Sequence, residues 1–206
     1  LERTIADIAP TDIPILLVGE SGTGKELVAL EIHRLSMRSS EAFVKFGCAG
    51  LTPESLAAHL LCGDKVNDED AMSGGSLFLD EINQLEPGSQ ARLLNLLPDG
   101  SSIPSSGCLS VRVISSTTRN LEEQMQSGSF REELYYRING VQLRLPPLRN
   151  RKEDIPGMLD FFLMKYASLF GRPTPRLSTP TMELLLHHAW PGNIRELRNA
   201  LERAVA

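Results

Sequence analysis

Ile15-Leu16-Leu17-Val18-Gly19-Glu20-Ser21-Gly22-Thr23-Gly24-Lys25-Glu26 decides the fold. Its first four residues form an unbroken apolar run of strand length. Lys25 opens a segment with apolar residues at Val28, Ile32 and Leu35, a helical period. Between the two, Gly19 to Lys25 fits the G-x-x-x-x-G-K spacing of a phosphate-binding loop, in the strand-to-helix setting that the motif requires. Glycines there let Glu20, Ser21, Thr23 and their neighbours turn backbone N–H groups onto an anion, and the helix start adds positive potential. Lys25 is placed to reach the β- and γ-phosphates of a nucleotide. Glu26 stands where a hydroxyl usually helps to hold magnesium; its carboxylate could coordinate the metal directly, act through water, or face solvent.

Working outward, further strands are expected at Ala42 to Phe46, Ser76 to Leu79, Val111 to Ser116 and Val141 to Leu145, the last stopped by Pro146-Pro147. Apolar strands separated by helices predict a parallel sheet covered on both faces, an α/β core. Leu77-Phe78-Leu79-Asp80-Glu81 is an apolar strand ending in two acids. With a phosphate loop upstream, Asp80 is read as a metal-side carboxylate beside Glu26, and Glu81 as the group that polarises an attacking water. After Pro147 the pattern is helical throughout. Ile155, Leu159, Phe162, Tyr166 and Leu169 share a helical spacing, and Gly171 provides a stop. Thr179-Pro180 reads as N-cap and first helical residue, and Trp190-Pro191-Gly192-Asn193 breaks the chain before a last helix with Ile194, Leu197 and Leu201 inward. The chain is therefore divided into an α/β core over 1–148 and an all-helical subdomain over 149–206.

The 206 residues suit one globular domain with a small attached subdomain. Hydrophobic residues at 41% and charged residues at 23% support a soluble fold with a real core. No apolar run is long enough to cross a bilayer and the start carries no signal-peptide pattern, so a cytosolic protein, or a piece of one, is expected, with no membrane partner. A net charge of −5 argues against a self-sufficient nucleic-acid binder. Cys48, Cys62 and Cys108 form no Cys-x-x-Cys pair, and adjacent His187 and His188 would point apart on a helix, so no metal-ligand pattern is present.

The motifs together resemble the central domain of NtrC-type bacterial transcription activators. They are residues 19–26, Gly74 to Ile82, Phe130-Arg131-Glu132-Glu133-Leu134-Tyr135-Tyr136-Arg137, Leu145 to Arg149, and Trp190 to Leu197, and they cover nearly the whole chain. The resemblance implies an AAA+ P-loop NTPase: a parallel-sheet core and a helical lid with ATP and Mg2+ between them. It also implies a homo-oligomer, a hexameric ring or its dimer precursor, hydrolysing ATP at subunit interfaces. Arg131 and Arg137 match the family's trans-acting arginine fingers; six residues apart on a helix, they face differently and are not expected to do the same job. Arg195 matches the lid arginine. A cation in the first turn of a helix meets the positive dipole end, which a nearby triphosphate would explain. Thr118 occupies the position whose side chain could hydrogen-bond the γ-phosphate or the attacking water. RNA polymerase holoenzyme is the implied partner, with DNA contacted through a helix-turn-helix outside this chain.

Two departures stand out. The family's Gly-Ala-Phe-Thr-Gly-Ala loop, which engages the sigma-54 factor, is missing between Leu61-Cys62-Gly63 and Gly74-Gly75. An acidic, polar stretch replaces it, and the connection is roughly a dozen residues shorter than the family pattern. The loop from Asp99 to Leu109 also reads as shortened. In this the chain is similar to the TyrR-like minority that works with sigma-70 polymerase or as repressors. Gly47 stands where the family has an Asn that holds the catalytic Glu, so slow or poorly coupled hydrolysis is expected. Two further readings compete: a nucleotide sensor with little or no hydrolysis, and an unrelated AAA+ motor. The 130–137 and 190–197 stretches do not fit the motor.

Overall fold

The computed structural model describes residues 2–61, 73–97 and 110–206. Contacts within the chain define two compact units. The first comprises residues 1–18 and 25–144, and the second comprises Gly19–Gly24 with Leu145–Ala206.

The first unit is a five-stranded sheet of β1 (Ile15–Val18), β2 (Phe43–Gly47), β3 (Ser73–Asp80), β4 (Ser110–Thr117) and β5 (Val141–Arg144), in the order β2-β3-β4-β1-β5. Every pairing is parallel, as the continuous apolar runs require. Helices α1 (Glu2–Ile8), α2 (Lys25–Arg34), α3 (Pro53–Leu61), α4 (Pro87–Leu96), α5 (Leu121–Gln126) and α6 (Glu132–Ile138) complete it. Leu16, Leu77, Leu79 and Val113 of the sheet are buried with Leu93 and Leu96 of α4 and Leu134 and Ile138 of α6. Each such side chain contributes about 1.5–3 kcal/mol by leaving water. The parallel register aligns the carboxyl ends of β2 and β3, with Gly47 opposite Asp80.

One local expectation shifts here. The inward face of α2 is Lys25, Ala29, Ile32 and His33, whereas Leu35 lies beyond the helix and is exposed. His33 turns inward because its Nδ1 lies 2.9 Å from the buried hydroxyl of Ser76. Arg112 of β4 is almost completely buried. Its guanidinium donates to the carbonyls of Ile8 (2.9 Å) and Ala9 at the end of α1, where a cation also complements the helix dipole.

The second unit holds α7 (Ile155–Leu169), α8 (Thr179–His187) and α9 (Asn193–Val205) around Leu148, Leu159, Phe162, Tyr166, Trp190, Leu197 and Leu201. Of the expected α7 stripe, four residues are inward and Leu169 is exposed. The entry to α8 moves by one residue: Ser178 is the N-cap, its hydroxyl accepting from Thr181 N, so Pro180 is the second helical residue.

Candidate functional site

The carboxyl ends of β3 and β4 and the start of α2 bring together Lys25, Asp80, Glu81, Ser116 and Thr118. Glu81 is the first residue past β3 and adopts a left-handed conformation (φ 58°), which costs a non-glycine residue about 1–3 kcal/mol and is characteristic of functional sites. Its backbone N–H donates to Ser116 Oγ (3.0 Å), and that hydroxyl donates to Asp80 Oδ1 (2.7 Å). Its carboxylate accepts from both the N–H and the hydroxyl of Thr118, at 3.0 and 2.8 Å. The other carboxylate oxygen lies 3.2 Å from the buried Lys25 ammonium. The strained turn thus aims Glu81 at a lysine and a threonine hydroxyl.

Beside it, Lys45 Nζ sits 2.6 Å from Glu26 and 3.5 Å from Asp80. Burial works against the Lys45 charge, but the hydrogen bond and charge of Glu26, with Asp80 behind, hold its pKa above the ordinary lysine value. The two acids read as metal-side groups therefore share one cation supplied by the chain itself. Among the described residues no group of three or more His, Cys, Asp or Glu could enclose a metal ion. Cys48, next after Gly47, is fully buried; burial first, then the charges of Asp80 and Glu81, push its thiol up to about 12, so it stays protonated.

Arg131 and Arg137 lie at the two ends of α6 in different settings. Arg131 is the N-cap, with its side chain exposed and in no hydrogen bond or ion pair among the described residues. Arg137 donates to the Leu97 carbonyl (3.1 Å).

In the second unit the phosphate loop packs on the turn that opens α9. A Cβ at Gly22 would fall 2.3 Å from the Gly192 carbonyl oxygen, and φ there is +79°, so only glycine fits. Ile194 N–H donates to the Gly22 carbonyl (2.9 Å). Glu20 is held by both arms of Arg149 (2.6 and 2.8 Å) and by Asn193 Nδ2 (3.1 Å). Arg149 first, then Asn193, lower its pKa to about 2. Arg195 Nη1 donates to Ser21 Oγ (2.8 Å), and Arg151 to the Thr23 carbonyl (2.8 Å). Thr23 folds its own hydroxyl onto the Glu20 carbonyl (2.8 Å).

Sequence reasoning did not assign roles to Lys45, Ser116, Arg149 or Asn193. For Lys45 a signal existed, a single cation inside an apolar strand. Arg149 and Asn193 were visible as parts of motifs, but their shared partner Glu20 lies far away in the chain.

A parallel sheet with a phosphate loop after one strand, paired acids after another and a helical unit in the second half defines an AAA+ P-loop NTPase. Residues 1–144 match the sigma-54 interaction domain and residues 149–206 the AAA+ ATPase lid domain. The chain belongs to the sigma-54 interaction domain family. It is 42% identical to the transcriptional regulatory protein ZraR of Klebsiella oxytoca over 219 aligned positions, covering 100% of this chain and 49% of ZraR. It is also 42% identical to the Nif-specific regulatory protein of Klebsiella pneumoniae, covering 97% of this chain and 41% of that protein. Among solved structures, NtrX from Brucella abortus in complex with ATP superposes with a TM-score of 0.86 at 37% identity, over 99% of this chain and 49% of NtrX. The chain thus spans about half the length of these relatives, or less. Among the described residues no helix is long and apolar enough to cross a membrane.

Proposed function

We propose that this chain is the ATP-hydrolysing AAA+ module of a bacterial transcription regulator, assembling with copies of itself and completing its active sites between copies. The observation that carries this reading is the Glu81 carboxylate, held in a strained turn between Lys25 and Thr118. That placement suits a group which orients a water for attack on a phosphate, once Lys25 releases it to meet the phosphate charge. In this reading Gly19 to Lys25 cradle the phosphates, Thr118 and Arg195 approach the terminal phosphate, and Arg131, with Arg137 in a separate role, serves a neighbouring copy. The NtrX complexes with ATP and with ADP support nucleotide as the ligand.

Asp80, Glu26 and the Ser116 hydroxyl are oxygen donors of the kind a magnesium ion takes with phosphate, and the Lys45 ammonium already marks the place as one that favours a cation. Magnesium bound there would neutralise charge developing on the phosphates.

Residues 1–148 act as the nucleotide-binding core and 149–206 as the lid. Residues 62–72 and 98–109, which include most of the replaced sigma-54 loop and all of the second shortened loop, lie outside the described residues. The alignment with ZraR takes 219 positions, 13 more than this chain has residues, in keeping with a shortened connection. The module accordingly works in the cytoplasm without remodelling sigma-54 polymerase, through sigma-70 polymerase or as a repressor, and DNA is contacted by a helix-turn-helix outside this chain. Nucleotide-dependent capture of sigma-54 by the purified protein would refute that part.

ATP turnover measured against protein concentration tests the central reading, with Glu81→Gln and Arg131→Ala as comparisons. Turnover per molecule that rises with concentration and disappears in both variants is expected. Tight ATP binding without turnover at any concentration would instead establish the second reading, a nucleotide-gated assembly switch, which Gly47 favours.

A further inference from the structure

Gln90, the fourth residue of α4, is 1% exposed and lies within the apolar core. Its side-chain amide nevertheless makes three hydrogen bonds, each 2.9 Å long. Nε2 donates to the carbonyls of Leu85 and Ser129, and Oε1 accepts from the backbone N–H of Arg131. A buried amide must find such partners, but these partners are not arbitrary. One follows the acidic end of β3 by a few residues, and the other two flank Phe130 in the loop that delivers α6.

The geometry at the start of α6 shows what Gln90 replaces. In many helices the residue three places after the N-cap reaches back with Glu or Gln to accept the N-cap N–H. Here the N-cap is Arg131 and the residue three places on is Leu134, fully buried and unable to accept. Arg131 itself makes no side-chain cap. Gln90 therefore supplies from α4 the acceptor that α6 lacks. The rest of the loop is already fixed: Ser129 and Phe130 both donate N–H to the Gln124 carbonyl (2.9 and 3.1 Å), and Phe130 is buried. The Arg131 side chain leaves this anchored backbone and is exposed.

We infer that Gln90 is a positioning residue for Arg131, setting the backbone from which that guanidinium is presented to the nucleotide of a neighbouring copy. This rests on the reading that Arg131 acts across copies, and the test separates the two. Gln90→Leu removes all three bonds. Gln90→Glu keeps the acceptor for Arg131 N–H and loses both donors. Circular dichroism and binding of a fluorescent ATP analogue check that each variant folds and binds. Turnover of Gln90→Leu should fall roughly 10- to 100-fold with KM little changed. Gln90→Glu should lie between it and the parent protein, and takes its place in the mixing experiment if Gln90→Leu does not fold.

The decisive measurement mixes copies. Glu81→Gln copies cannot hydrolyse but carry an intact Arg131. Mixed with Gln90→Leu, whose own Glu81 is intact, they should restore turnover to the level reached when they are mixed with Arg131→Ala. If Arg131→Ala is not rescued, the across-copies reading fails. If Arg131→Ala is rescued and the Gln90 variant is not, Gln90 acts inside its own copy, through Leu85 and the acidic strand end, and the inference is overturned. Undiminished turnover of Gln90→Leu alone would also overturn it.

Discussion

Gly47 is the residue at which this chain can be asked how the Glu81 carboxylate is held. It pairs with Asp80 across β2 and β3, one residue before Glu81, and a Cβ there would meet nothing within 4 Å. Its φ lies outside the left-handed region, so any residue can take the position. In the Gly47 protein the Glu81 carboxylate rests on Thr118 and Lys25 instead. Gly47→Asn should fold with an unchanged or slightly raised thermal midpoint, since glycine in a strand costs up to about 1 kcal/mol. Its ATP turnover should rise above that of the parent, because the added amide can share the orientation of Glu81. Equal turnover in a steady-state assay would show that Thr118 alone suffices.

The turn opening α9 shows how much local structure rests on a single element end. Trp190 and Asn193 both have positive φ (47° and 52°), and Asn193 is fully buried, accepting from Leu148 N–H (2.8 Å) and donating to the Ser21 carbonyl (3.0 Å). Asn193→Ala should cost about 1–3 kcal/mol for the orphaned backbone partners, with further loss from the left-handed backbone. Asn193→Gly should recover the second part only. Urea unfolding followed by the fluorescence of Trp190, the chain's one tryptophan, measures both. Equal stability of Ala and Gly variants would remove the backbone part of the argument. The five strands and the helical second half were legible because apolar runs and periodic stripes record burial directly. The entry to α8 slipped by one residue because Ser178 and Thr179 are both able caps, and only the backbone decides between them. His33, Gln90 and Arg112 were not legible as inward residues, since each is buried by a partner distant in sequence: Ser76, the carbonyl of Ser129 and the carbonyls of Ile8 and Ala9. The Lys25, Asp80 and Glu81 group was visible as motifs, whereas Lys45 and Ser116 needed the parallel register of β2, β3 and β4.

Across the whole molecule, acid should act through carboxylates in both units. The Arg149 hydrogen bonds, then Asn193, hold Glu20 near pKa 2 against an ordinary 4.5, and the hydrogen bond from Arg38 lowers Asp12. Folded pKa values below the unfolded ones mean stability that is complete above the unfolded pKa and lost as pH falls through the folded one. Thermal midpoints should therefore hold level near neutrality and fall as pH drops from about 4.5 towards about 2. Glu20→Gln should fall less steeply over that window; a slope equal to the parent's would contradict the assignment. The grouping of Gly19–Gly24 with Leu145–Ala206 has a different kind of consequence. A chimera that takes its helical segment from one relative and its phosphate loop from another would join parts that were never matched. The acid at position 20 and the base at 149, or the bare Gly22 and the carbonyl of Gly192, would then come from different parents. Residues 19–24 and 145–206 should therefore pass together from one parent, and recombination within the family should respect that linkage.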